Sequence, residues 1–180
     1  MSSKKSLSDW LSYIEALHTT EIDLGLTRIA EVAKRLKLSP KASNANVITV
    51  AGTNGKGSTC QLIHSILNQT SITSGVFSSP HFLEYNERIV VNGQQVSDQQ
   101  LVNVFEEIES ARAEISLSYF EFGALAACCI FQKLKLDIWI LEVGLGGRLD
   151  AVNIIDNDVA IVTSIAVDHV DWLGDDINVI

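Results

Sequence analysis

The stretch Val50-Ala51-Gly52-Thr53-Asn54-Gly55-Lys56-Gly57-Ser58-Thr59 decides the fold. Just before it, Val47-Ile48-Thr49-Val50 is a β-branched run that reads as a buried strand. Just after it, Cys60, Ile63, Ile66 and Leu67 fall on one side of a helix. A glycine-rich turn between a strand and a helix lets backbone N–H groups converge on phosphate oxygens, and the helix N-terminus favours the same anion. Lys56 adds a point charge suited to the outer phosphates of a nucleotide. The spacing departs from the common phosphate loop, G-x-x-x-x-G-K-[ST]. Val50 stands where the first glycine would be, and Gly57 follows the lysine. The hydroxyl that usually holds Mg²⁺ directly after the lysine is missing, so Ser58 or a later loop must supply one.

Working outward, residues 73–77 read as the next strand, completing a β-loop-α-β unit and implying a parallel sheet. Residues 88–91 and the Asn92-Gly93 turn suggest a short strand and hairpin. Ser97 and Gln100 form a capping-box pattern before a helix running to Arg112, and residues 120–134 form a second, largely apolar helix. Residues 137–143 and 159–165 are strands without polar alternation, which points to a sheet covered by helices on both faces. Upstream, Trp10, Tyr13, Ile14 and Leu17, then Leu26, Ile29, Ala30, Ala33 and Leu36, give two helical patterns that end at Pro40. The fold class is α/β: a Rossmann-like, doubly wound, mostly parallel sheet with a phosphate loop and a helical N-terminal prologue. No helix signal closes the chain after its last strand, so residues 1–180 read as one nucleotide-binding domain that is a fragment or continues further.

Composition narrows the function. The chain has 180 residues, 47% hydrophobic and 19% charged, with a formal net charge of −9. An acidic chain is poorly suited to nucleic acid, whose phosphates need a basic surface. Residues 1–8 carry no apolar signal core, and the apolar run at residues 122–131 is too short to span a bilayer. The expected location is the cytoplasm, with no membrane partner. Cys60, Cys128 and Cys129 lack metal or disulfide spacing and read as small buried apolar residues.

Three further strand ends carry chemistry. In Leu141-Glu142-Val143-Gly144-Leu145-Gly146-Gly147-Arg148-Leu149-Asp150, a carboxylate closes a buried strand where open α/β sheets bind ligands. A buried Glu needs a partner; Mg²⁺ would serve, as would Arg148 in a structural ion pair. In Thr163-Ser164-Ile165-Ala166-Val167-Asp168-His169, the histidine could ligate a cation, orient a phosphate or simply be solvated. In Ser78-Ser79-Pro80-His81, Ser79 is a candidate for the missing hydroxyl. Nothing resembles a Ser/His/Asp or Cys/His hydrolase set.

Together these segments resemble the folylpolyglutamate synthase / dihydrofolate synthase family, within the wider Mur ligase group. The similar stretches are residues 22–26, 49–58, 78–81 with Asn86-Glu87-Arg88, 119–121, 141–153 and 163–174. The resemblance implies that ATP is held by Thr53, Asn54, Gly55, Lys56, Gly57 and Ser58. It implies two Mg²⁺ sites, with Ser79 and Glu142 on the first and His169 on the second, and a catalytic set of Lys56, Glu142 and His169. A pterin-bearing substrate would contact Ile22, Asp23, Leu24 and Gly25; Ser118, Tyr119, Phe120 and Glu121; and Leu149, Asp150 and Ala151. Ser118 and Val152 stand where the family pattern has Thr. The implied activity joins L-glutamate to dihydropteroate or to folates through an acyl phosphate, in a monomer. The implied carbamylated lysine on the second metal, and a C-terminal glutamate-ligase domain, lie beyond residue 180, so the fragment alone is expected to be inactive. A Mur-type cell-wall amino-acid ligase and a non-catalytic ATP-binding module are the alternatives.

Overall fold

The computed structural model describes residues 5–18 and 24–176. Two N-terminal helices, α1 (Leu7–Leu17) and α2 (Thr27–Arg35), precede strand β1 (Asn46–Ala51). There follow α3 (Lys56–Leu67), β2 (Ser74–Phe77), β3 (Ile89–Val91), β4 (Gln94–Gln95), α4 (Asp98–Arg112), α5 (Tyr119–Leu134), β5 (Ile138–Glu142), β6 (Val159–Val162) and α6 (Val170–Leu173).

The six strands form one mixed sheet in the order β4-β3-β2-β5-β1-β6. β2, β5, β1 and β6 run parallel, while β3 and β4 add an antiparallel edge. The sheet is thus mostly parallel, with the β3–β4 hairpin turning at Asn92 and Gly93, both at positive φ. Register levels the C-terminal ends of the parallel strands: Phe77 lies opposite Leu141, Val50 opposite Glu142, and Ala51 opposite Val162. The segments that follow β1, β2, β5 and β6 therefore leave the same edge of the sheet.

Alternation along β5 sorts its side chains between two cores. Trp139 and Leu141 join Ile14, Ile29, Phe105, Phe122 and Leu125 on the face covered by α1, α2, α4 and α5. Ile140 joins Val50, Val76 and Cys60 on the face covered by α3. Because side chains repeat every second residue, Glu142 emerges on the α3 face.

Element boundaries follow the local chemistry. Ser118 accepts a bond from the Glu121 N–H while the Glu121 carboxylate accepts one from the Ser118 N–H, so α5 begins at Tyr119, one residue earlier than its apolar pattern. β6 ends at Val162 instead of continuing to residue 165, since Thr163 turns toward the loop between β1 and α3. Cover on both faces holds for β1, β2 and β5. β6 is different: it pairs with β1 alone, at the sheet's edge, and Val159 and Val162 are exposed. The short α6 follows it, where no helix was expected. The apolar α5 is a core helix, and among the described residues no helix is long and apolar enough to cross a membrane. All three cysteines are free and buried.

Candidate active site

The loop between β1 and α3 is held in shape from within and from its neighbours. Gly52 and Gly55 sit at φ +131° and +84°, conformations that side chains rarely adopt. A β-carbon on Gly52 would meet the Thr163 hydroxyl at 2.1 Å. Lys56 opens α3, and its Nζ donates to the Gly52 carbonyl at 2.7 Å and the Thr53 carbonyl at 3.3 Å. That draws the ammonium back over the loop, where a phosphate oxygen would meet it beside the N–H groups of the helix start.

Glu142 lies beneath the start of α3. It is 4% exposed, and its Oε2 accepts a bond from the Ser79 N–H at 3.3 Å. A β-carbon placed on Gly57 would stand 3.6 and 3.7 Å from the two carboxylate oxygens. Burial raises the pKa of the Glu142 carboxyl, while the Ser79 N–H and the charge of Lys56 oppose the rise. A buried carboxylate with one long hydrogen bond is short of positive charge, and a hard cation held by oxygen would supply it. Glu142, with Ser79 beside it, therefore fits a divalent metal ion. Arg148, the alternative partner, is exposed and lines a different cavity. The Cys60 thiol, one turn into α3, is pushed up to about 12, first by burial and then by Glu142.

A cavity of about 200 Å³ opens at this edge. The loop after β1 (Gly52, Thr53, Lys56), the glycine loop after β5 (Gly144 to Gly147) and the segment after β6 (Ile165, Asp168, His169) line it, with Leu173 of α6 closing one side. His169 is half exposed and stands 3.9 Å from Asp168. Among the described residues, no group of three or more His, Cys, Asp or Glu side chains gathers as a metal cluster. Lys56, Ser79, Glu142 and His169 thus share one edge: the Ser79 N–H touches Glu142, and Lys56 and His169 both line the cavity.

Of the segments expected to meet the pterin, the start of α5 touches the glycine loop, and the acids Glu121 and Asp150 are already engaged. The ring of Phe120 lies against Gly144, where a β-carbon would come within 2.7 Å, and packs 5.5 Å from Phe77. Tyr119 packs edge-on to Tyr85, and the Arg88 guanidinium sits over both rings while its Nε donates to His81 Nδ1 at 2.8 Å. Glu121 is buried and accepts bonds from the Ser118 N–H and from Arg28. Asp150 is buried too: Oδ2 accepts the Gly144 and Leu145 N–H groups, both at 2.9 Å, and Oδ1 accepts the Val152 N–H at 3.1 Å. Burial pushes its pKa up to about 6 against those three bonds. Asp150 thus fixes the shape of the glycine loop. Leu149 is exposed and Ala151 buried, while Leu24 and Gly25 are half-buried; Ile22 and Asp23 lie outside the described residues. Of the loop residues, Asn54, Gly55 and Ser58 are exposed at the mouth of the turn.

Sequence reasoning missed Thr163. Its hydroxyl lies 3.1 Å from the Ala51 carbonyl and 2.8 Å from the Asn54 carbonyl. The available signal was a Thr directly after a parallel strand neighbouring the one that feeds the glycine turn.

Comparison with known proteins agrees with this geometry. The family model "Mur ligase middle domain" matches residues 50–180. The chain is 56% identical over 170 residues to the dihydrofolate synthase/folylpolyglutamate synthase of Escherichia coli strain K12, covering 94% of this chain and 40% of that protein. Against the Haemophilus influenzae enzyme of the same name it is 51% identical, covering 94% and 38%. E. coli FolC in complex with DHPP and ADP superposes with a TM-score of 0.92 at 55% identity, covering 96% of this chain and 41% of that one. A bifunctional folylpolyglutamate synthase/dihydrofolate synthase with Mn, AMPPNP and L-glutamate bound superposes at 0.87 with 52% identity, covering 96% and 41%. The chain spans about two fifths of the length of these relatives. It belongs to the dihydrofolate synthase/folylpolyglutamate synthase family, and residues 50–180 are its Mur ligase middle domain.

Proposed function

We propose that this chain is the ATP-binding part of an ATP-dependent ligase that joins L-glutamate to dihydropteroate, to folates, or to both. One observation carries the reading: Glu142, buried and short of donors, faces the N-terminus of the helix that Lys56 opens. A carboxylate buried there with one long hydrogen bond lacks charge compensation, which a divalent cation held by Glu142 would supply. Relatives with ADP, AMPPNP, Mn, DHPP and L-glutamate bound support the same ligand classes.

In this reading the loop N–H groups from Asn54 to Ser58, with Lys56, bind the triphosphate, while Thr53, whose N–H already donates to the Ser164 carbonyl, contributes by holding the loop in shape. Glu142 and Ser79 would hold a first Mg²⁺ and His169 would contribute to a second, and such ions would supply positive charge beside the transferred phosphoryl group. The glycine loop, fixed by Asp150, and the start of α5 form the wall against which a pterin-bearing carboxylate lies. ATP phosphorylates that carboxylate, the amine of glutamate attacks the acyl phosphate, and phosphate leaves. The protein's part is positioning and charge neutralisation, as expected for phosphoryl transfer. The protein is cytoplasmic and monomeric in this reading, and its glutamate-ligase domain lies outside residues 1–180.

The test is phosphate release by the full-length protein with ATP, L-glutamate and either dihydropteroate or a reduced folate. Release that requires all three components is expected. Release only with a UDP-sugar peptide would overturn the reading in favour of a cell-wall ligase, and ATP binding with neither release would leave a non-catalytic module.

A further inference from the structure

The phosphate loop is tied to the segment that carries His169 by hydroxyl groups that neither the motif nor the family assignment explains. Thr53 Oγ1 donates to the Ala166 carbonyl at 3.0 Å and accepts the Ala166 N–H at 2.9 Å, closing a small ring. The Thr53 N–H donates to the Ser164 carbonyl at 2.6 Å. The single hydroxyl hydrogen of Thr163 is shared between the Ala51 and Asn54 carbonyls, and Ser164 Oγ also donates to Asn54 at 3.2 Å. Gly52, with its β-carbon direction pointing at Thr163, lets the two backbones approach this closely.

We propose that Thr163 is a positioning residue for nucleotide binding. Its hydroxyl, with the Thr53–Ala166 ring, makes the phosphate loop and residues 163–169 a single unit. The carbonyls of Ala51 and Asn54 begin and end the turn whose N–H groups face the phosphates. Holding both on one hydroxyl fixes the curvature of that turn before the nucleotide arrives, and this preorganisation appears as affinity. The same contacts place His169, three residues beyond Ala166, by the same movement that places Lys56.

This rests on the reading of the loop as an ATP site, and the experiment separates the two. ADP binding to the full-length protein is measured by calorimetry for the wild type, Thr163→Val and Thr163→Ser. Thr163→Val should weaken ADP about tenfold, the effect of one hydrogen bond lost from a constrained carbonyl, while Thr163→Ser stays near wild type. In ligation assays KM for ATP should rise in Thr163→Val more than kcat falls, a split that a general loss of folded protein would not give. Failure of the wild type to bind ADP would refute the site itself. Wild-type binding with unchanged affinity in Thr163→Val, or equal loss in Thr163→Ser, would refute the positioning role alone. Should Thr163→Val not fold, amide exchange in the wild type decides: ADP must slow exchange at Ala166 together with Thr53, and unchanged exchange at Ala166 overturns the proposal.

Discussion

A β-carbon built on Gly57 would stand 3.6 and 3.7 Å from the two carboxylate oxygens of Glu142, so the glycine faces that carboxylate across a gap that a methyl group would just fill. The gap lies between the first turn of α3 and the C-terminal end of β5. A side chain at residue 57 is therefore compatible with the fold but would occupy the space next to Glu142 where the proposed cation would lie.

Gly57→Ala separates stability from activity. Alanine in a helix is better than glycine by about 0.5–1 kcal/mol. The variant should melt at or slightly above the wild-type temperature, yet ligate at least about tenfold more slowly in the full-length protein because the methyl crowds the proposed cation position. Thermal unfolding and the Mg²⁺ dependence of the rate check this, and full activity at ordinary Mg²⁺ would remove the cation from that gap.

Lys56→Ala should abolish ATP-dependent ligation with the fold intact. The Nζ caps two loop carbonyls that water can reach, so little stability is lost, whereas its charge on the phosphates is not replaced. Circular dichroism and phosphate release measure the two halves, and normal turnover would refute the role.

Asp150 should give the fold an acid-side bonus. Its pKa stands above the ordinary 3.8, at about 6, because burial outweighs three N–H bonds. A group raised in the folded state contributes stability fully below its unfolded pKa, and that contribution is lost as pH rises through the folded value. Urea unfolding from pH 4 to pH 7 should show this loss in the wild type and not in Asp150→Asn. The variant should also be less stable at every pH by about 1–3 kcal/mol, since one amide oxygen cannot serve three N–H donors. Parallel curves for the two proteins would show that Asp150 does not titrate in this window.

His64 acts in the opposite direction. It is buried on α3, its Nε2 accepts the Gly93 N–H at 2.9 Å, and Nδ1 therefore carries the proton that bonds Ser74 Oγ at 2.8 Å. Burial lowers its pKa below 6.5. A lowered histidine contributes stability above pH 6.5 that is lost as pH falls through the folded value, where protonation takes away the acceptor for Gly93. His64→Ala should cost about 2–4 kcal/mol at neutral pH by leaving a cavity and two orphaned partners. Its penalty should shrink toward pH 5, and a penalty independent of pH would show that the ring stays neutral there.

Gly144→Ala probes the proposed substrate wall. Its β-carbon would come within 2.7 Å of the Phe120 ring, which must swing away. Overpacking of this kind costs about 1–3 kcal/mol. KM for the pterin substrate should rise more than KM for ATP, as measured by varying each in turn; equal rises would detach Phe120 from substrate binding.

The strand–turn–helix unit, the two cores and the shared edge of Lys56, Ser79, Glu142 and His169 were legible because each rests on a local rule: β-branched runs, helical periodicity and turn glycines. What stayed hidden depends on distant pairing. Thr163 reaches Asn54 across 109 positions, and no periodicity encodes that contact. Asp150 and Glu121 sit in stretches that resemble substrate pockets, and whether a carboxylate meets a ligand or backbone N–H groups depends on how the loop turns. The early end of β6 has the same origin, since its apolar pattern continues past Val162 while Thr163 is drawn to the loop beside it.

One edge of the sheet ends in β4, which is two exposed glutamines long, behind a turn that His64 fastens to α3. A ladder this short and hydrophilic offers too few free amide groups to recruit a strand from another molecule. Copies of this protein should therefore not zip together along that border, even in concentrated solution.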